Sequence, residues 1–254
     1  MGFATARKLL AEGAHVYGLD IQEPAEELPG LKFVRTDLTD MSSVEAALIN
    51  VSDAAGHLDA IINMAGMYDL NSLVEIGEEE FLRIFNVNLF SIYRVNRTFL
   101  PLLGRGGRII ITSSELAPLD PLPFTGLYAV TKAAVEKYAY ALRMELQLLG
   151  ISVIVLRPGA VDTRFIGIST SRLDDFCDNT ALYSCNSAKF REIVDKFEAR
   201  KIPPERIAAL VLRAVHASHP KYIYKINRNP LLLLLNALPA SWQTRIIGRL
   251  IRQR

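Results

Sequence analysis

Tyr128 and Lys132 stand four residues apart in the stretch Tyr-Ala-Val-Thr-Lys. On a helix they lie one above the other on the same face. A free phenol titrates near 10 and is a poor base at neutral pH. An ammonium group one turn away favours the phenolate and lowers that value. The pair can therefore move a proton. The same spacing also arises by chance on amphipathic helices, so the neighbouring segments must decide.

Those neighbours are two strand-like runs. Gly107-Arg-Ile-Ile-Ile-Thr-Ser-Ser114 ends in two hydroxyls, and Ile151-Ser-Val-Ile-Val-Leu-Arg-Pro158-Gly159 ends in a tight turn. Between them Ala133, Ala134, Val135, Ala139, Leu142 and Leu146 recur at helical spacing, and Gly150 is a stop. Strand, helix and strand in that order make a right-handed parallel unit whose ligands meet the carboxyl ends of the strands. At 254 residues and 50% hydrophobic, the chain can bury one large core or at most two small ones. Strand-like and helix-like segments alternate up to about residue 160, which predicts one α/β domain over residues 1–254. A net charge of +2 argues against a nucleic-acid partner. Cys177 and Cys185 are too few for a disulfide framework, and the absence of a secretory signal pattern adds to a cytoplasmic expectation.

Tyr128-x-x-x-Lys132 with Ser114 fourteen residues earlier resembles the catalytic signature of the short-chain dehydrogenase/reductase family. The resemblance implies a Rossmann-like, doubly wound parallel sheet in three α/β/α layers. It also implies alcohol–ketone interconversion with hydride transfer to or from nicotinamide. In that scheme Tyr128 exchanges the proton, Lys132 lowers the tyrosine pKa and binds the nicotinamide ribose, Ser114 steadies the substrate oxygen and Asn88 supports the proton relay. Asn88 lies in the apolar run Phe81 to Val95, where a buried amide needs partners; a helix-kinking asparagine is the structural alternative. Ser113 competes with Ser114, but side chains alternate along an extended segment, so Ser113 is expected to point to the other side.

The same resemblance supplies a cofactor set. Gly2 matches the last glycine of the family's loop Thr-Gly-x-x-x-Gly-x-Gly, and the strand and earlier glycines that precede it there are absent here. That absence puts pyrophosphate binding in doubt and predicts a gap between the strands ending at Asp20 and Asn63. The expectation is that the natural protein starts some residues earlier, a damaged copy being the other reading. Asp20, eighteen residues after Gly2, is placed to accept bonds from the adenosine ribose and to repel a 2′-phosphate, which favours NAD(H) over NADP(H). As a solvated strand-end acid it would have no such role. Asp37 and Leu38 are expected against the adenine, while Asp40 or Thr39 caps the next helix. Asn63-Met64-Ala65-Gly66 resembles the family's Asn-Asn-Ala-Gly, whose small residues let backbone approach the cofactor. Pro158, Gly159, Val161 and Thr163 match the stretch that meets the nicotinamide carboxamide. No metal is called for.

Residues 164–200 correspond to the substrate-binding region. From Lys221 onward the chain carries seven Lys and Arg residues and no Asp or Glu. In the tail 229–254, Ile246, Ile247, Leu250 and Ile251 are read as one helical face, with Arg245, Arg249 and Arg252 opposite. Such a helix can lie on a membrane surface as a peripheral contact, pack over the pocket, or meet a partner subunit. This tail resembles those of relatives acting on steroids and retinoids, which implies a small lipophilic alcohol or ketone as substrate and a homodimer or homotetramer. Two alternatives stand beside it: a 3-oxoacyl-carrier-protein reductase, and a non-catalytic dinucleotide-binding or scaffolding relative.

Overall fold

The computed structural model describes residues 1–163, 174–198 and 200–252. Six strands run parallel: β1 (Val16–Asp20), β2 (Leu31–Arg35), β3 (Leu58–Asn63), β4 (Leu103–Thr112), β5 (Ser152–Pro158) and β6 (Ile223–Ile226). Runs such as Ile109-Ile110-Ile111 and Val153-Ile154-Val155-Leu156 contain no polar position, as strands covered on both faces require. Their side chains part by turns. Ile109, Ile111, Val153 and Val155 enter a core with Val44, Ile92, Val95 and Val135. Ile110, Ile154 and Leu156 enter a second core with Ile207, Leu210 and Val211. Helices α2 (Met41–Ala55), α4 (Ser91–Phe99) and α5 (Gly126–Leu146) form the first layer, and α8 (Pro204–His216) the opposite one. Helix α1 (Gly2–Ala11) packs against α8, with Arg7 paired to Glu205 at 2.7 Å. The three-layer Rossmann-like arrangement follows from this alternation.

The parallel sheet is in two pieces, β2-β1 and β3-β4-β5-β6. Among the described residues no strand hydrogen-bonds between β1 and β3, the place where the sequence predicts a gap. The two pieces still share the first core, which takes Tyr17, Leu19 and Val34 from one and Ile61 from the other.

Two local features aim the catalytic end. The predicted helix through Phe81–Val95 is α3 (Glu78–Phe85), a π-helical turn over Asn86–Phe90, and then α4. Such turns widen a helix by one residue and recur at functional sites. Beyond β5 the chain continues through helical residues 174–179 (α6), α7 (Ser184–Glu198) and α8. After β6 come α9 (Pro230–Asn236) and α10 (Ala240–Ile251). Part of the expected substrate-binding region, residues 164–173 and 199, lies outside the described residues. Asp40, not Thr39, caps α2 by accepting from Ser42 N at 3.0 Å. In the tail, Ile251 is buried and Leu250 is half exposed, so the predicted four-residue apolar face is divided between core and solvent.

Candidate active site

Helix α5 brings Tyr128 and Lys132 under the carboxyl end of β4. Lys132 is buried and donates from Nζ to Thr112 O at 3.2 Å, and Nζ lies 5.7 Å from the centre of the Tyr128 ring. The Tyr128 hydroxyl is hydrogen-bonded to the side chain of Ser114. Ser113, one residue earlier, donates instead to Glu136 Oε1 at 2.9 Å, on the other side as alternation predicts. Glu136 also binds Arg157 at the end of β5, so a half-hidden ion pair ties α5 to both strands carrying site residues.

Asn88 sits in the π turn and is fully buried. Its Oδ1 accepts from Met67 N at 2.7 Å, and its Nδ2 donates to Met67 O at 2.9 Å and to Thr131 Oγ1 at 3.1 Å. Thr131 in turn donates to Tyr128 O at 2.8 Å. Asn88 therefore holds the loop after β3 against the helix that carries the tyrosine and lysine. Gly66 lies in the angle between them: a Cβ there would come within 3.3 Å of Asn88 Oδ1 and 3.4 Å of Lys132 Nζ. Asn63 takes the strand-end role, donating to Asn96 Oδ1 at 2.8 Å, and Ala65 is exposed beside it.

The expected lowering of the tyrosine pKa is not what the geometry gives. Burial pushes Tyr128 up to about 12, the Ser114 hydrogen bond acts against that rise, and the Glu115 carboxylate adds to it. Lys132 moves down to about 8, also through burial. In a site this dry, the cost of desolvating a charge exceeds what one neighbouring amine returns. At neutral pH the phenol is thus a held proton, already hydrogen-bonded to the serine. Glu115 is itself buried, its carboxyl raised by desolvation, and its Oε2 accepts from Asn229 N at 2.6 Å. Sequence reasoning did not single out Glu115, Thr131, Glu136 or Tyr68. The Tyr68 ring meets Tyr128 edge-on at 4.7 Å. Thr131 lies inside the Tyr-x-x-x-Lys stretch, and a charged residue such as Glu136 on the buried side of an apolar helix was the readable signal for the ion pair.

On the other flank, Pro158 ends β5 and Gly159 follows in a space that admits no side chain. A Cβ there would lie 1.9 Å from Asn227 O and 2.8 Å from Glu115 Oε1. Val161 is buried and bridges to Ile202; Thr163 is half-buried. Asp20 is exposed at the end of β1 and accepts from Gln22 N at 3.0 Å. Asp37 accepts from Thr39 N and Oγ1, bonds that hold its carboxyl below the usual range, and Leu38 packs on the first core. Gly2 opens α1, whose first-turn N–H groups have no partner within the helix. These positions fit a dinucleotide stretched along the strand ends. Gly66 lets the loop after β3 close on Asn88 and Lys132, and Gly159 lets the turn after β5 close on Asn227. The structure brings Tyr128, Lys132, Ser114 and Asn88 into one cluster. Asp20, Asp37, Leu38 and Gly2 lie on the two-stranded side of the gap or on α1 beside it.

A cavity of about 550 Å³ opens beside the first turn of α5, walled by Leu122, Phe124, Gly126, Leu235 and Ile247 among others. Phe124 holds a positive φ of 64°, a strained backbone for an aromatic residue, at this wall.

Comparison with known proteins agrees with this geometry. The chain is 28% identical over 242 residues to a 3-ketodihydrosphingosine reductase of Bacteroides thetaiotaomicron, covering 95% of this chain and 88% of that protein. It is also 28% identical over 240 residues to an NADPH-dependent 3-dehydrocapnine reductase of Ornithobacterium rhinotracheale, covering 89% and 84% respectively. A 3-ketoacyl-(acyl-carrier-protein) reductase from Brucella melitensis, solved with NADH, superposes with a TM-score of 0.71 at 20% identity, over 89% of this chain and 91% of that one, a likeness of fold. Residues 1–172 match the short chain dehydrogenase family, an NAD(P)-dependent group of oxidoreductases, and the chain belongs to it.

Proposed function

We propose that this oxidoreductase reduces the ketone of a lipophilic, chain-bearing substrate, with Tyr128 as proton donor. The observation that carries this reading is the buried cluster in which Tyr128 is hydrogen-bonded to Ser114 and lies one helical turn from Lys132. NAD(P)H, when bound, supplies the hydride. Lys132, Gly66 and Asn88 would hold its nicotinamide end, and Asp20, Asp37, Leu38 and the start of α1 its adenosine and phosphates. Ser114 orients the substrate oxygen through the hydrogen bond it already makes to Tyr128. Lys132, moved down to about 8 by burial, passes the replacement proton toward the tyrosine, and Asn88 keeps that path in place by fixing Met67 and Thr131.

The lipophilic substrate is supported by the apolar cavity beside α5 and by the two relatives named for reducing lipid ketones. The carboxylate of Asp20 supports NAD(H), and Arg35, its register neighbour on β2, is engaged by Glu23 at 3.2 Å. Self-association into a homodimer or homotetramer is supported by Tyr140 and Met144 of α5 and Leu148 of the turn that follows it, all exposed and apolar. The chain works as one domain in this reading. The test is an assay of NADH and NADPH oxidation against matched short and long-chain ketones. Turnover rising with chain length is expected. Equal turnover of a short and a long ketone rejects the lipophilic assignment.

A further inference from the structure

The outward face of the C-terminal helices is unlike the rest of the surface. The side of α10 that meets the protein is set by Gln243 and Ile251, both buried, and Gln243 donates from Nε2 to Asp120 Oδ2 and to Leu238 O. At helical spacing the opposite side holds Trp242, Arg245, Arg249 and Arg252, all exposed. Trp242 is 59% exposed, although it is the only tryptophan of the chain. In α9, Leu232 is buried while Leu231 and Leu234 point to solvent. Among the described residues none of the three arginines is in an ion pair, and no acid occurs after position 221. Across the cavity mouth from α10 stand Leu73 and Val74, the latter 71% exposed.

We infer that α9 and α10 form a docking face for an anionic lipid bilayer, set beside the cavity so that a lipid enters without crossing water. Exposed leucines and an indole enter the headgroup boundary, and unpaired arginines meet acidic headgroups. A second protein would need complementary acids and a flat dry patch; a bilayer needs only the apolar residues and the net charge. Among the described residues no helix is long and apolar enough to cross a membrane, so the contact is peripheral. The entry of a lipid rests on the lipophilic reading above; the docking is tested without turnover, so its failure leaves the proposed reaction untouched.

The experiment mixes the full chain with vesicles of phosphatidylcholine, with or without about one third phosphatidylglycerol, and follows sedimentation and Trp242 emission. Binding and a blue shift with the anionic vesicles are expected, both weakened by salt. Arg245→Glu with Arg249→Glu should weaken binding about tenfold or more, and Leu234→Ser with Trp242→Phe should weaken it with the charges intact. These surface changes leave the core untouched, and unchanged circular dichroism and melting check that. Absence of binding to anionic vesicles overturns the inference, as does equal binding to neutral ones. A blue shift in lipid-free buffer that tracks a doubling of mass also overturns it, because the face is then covered by a second copy.

Discussion

Ile109, Ile110 and Ile111 of β4 and Val153 to Leu156 of β5 are all fully buried, whereas no residue of β1 or β2 is. Both pairs belong to one parallel layer. β4 and β5 are hydrogen-bonded on both edges and covered by helices on both faces, while among the described residues β1 pairs only with β2. The groups proposed for proton transfer stand at the ends of the first pair, on the helix between its strands and, for Asn88, in the π turn. The groups proposed for adenosine stand largely on the second. Chemistry that depends on tenths of an ångström is mounted on the dry, doubly covered half. Recognition of a ligand that brings its own binding energy is proposed for the shallower pair, whose residues are half-buried or exposed.

Tyr128→Phe gives the largest effect expected, because it removes the proton donor from the rigid half without opening a cavity. Turnover should fall by roughly 10²–10⁴-fold while melting temperature and cofactor affinity hold. Retained activity would move the chemistry off α5 and dissolve the contrast. Next in size comes stability. Ile110→Ala should cost roughly 2–5 kcal/mol in denaturant unfolding, and Leu19→Ala of β1 roughly 1 kcal/mol. Hydrogen exchange should follow the same division, with β4 and β5 amides released only by global unfolding and β1 amides earlier. Equal costs would mean that the two halves unfold as one.

The pH dependence of stability tests how dry the catalytic half is. Lys132 falls from 10.5 to about 8 on folding. Between those values the unfolded chain holds a proton that the folded chain lacks, so stability rises with pH across that window. Tyr128 rises from 10 to about 12, so above pH 10 its ionisation favours the unfolded chain and stability falls. Lys132→Met should remove the rise, on the order of 1–3 kcal/mol, and leave the fall. A rise that survives in Lys132→Met would show that the amine is solvated. The smallest effect expected belongs to the other half. Asp20→Ser should move the ratio of kcat/KM for NADH over NADPH toward NADPH by about tenfold, a single solvent-exposed charge being screened. A wild-type preference for NADPH would reject the role proposed for Asp20.

The doubly covered strands were legible because an uninterrupted apolar run has few other places to go, and β3 ends at Asn63 as expected. Asn88 could be picked out because an amide within an apolar run must find partners. The direction of the Tyr128 pKa could not be read, because spacing reveals the neighbouring charge but not the burial that outweighs it. Glu136 and Arg157 are 21 positions apart and Ser113 belongs to a third element, so their meeting depends on tertiary packing that no local periodicity encodes. The tail was half legible. Its basic face was found, but which isoleucines face the protein is fixed by Gln243 and Ile251 settling into place.

The π turn at Asn86–Phe90 acts as a phase shifter. A regular α-helix advances about 100° per residue, so one extra residue in the turn sets how α4 is clocked relative to α3. Ile84 on one side and Ile92, Val95 and Phe99 on the other are all buried, and Asn88 points inward between them. Deleting a single residue here would regularise the helix and rotate one of these groups by about a quarter turn. Either the amide leaves Met67 and Thr131, or the α4 isoleucine, valine and phenylalanine leave the core. The length of this segment is thus as much a specification as its composition, and substitutions should be tolerated there far more readily than one-residue deletions.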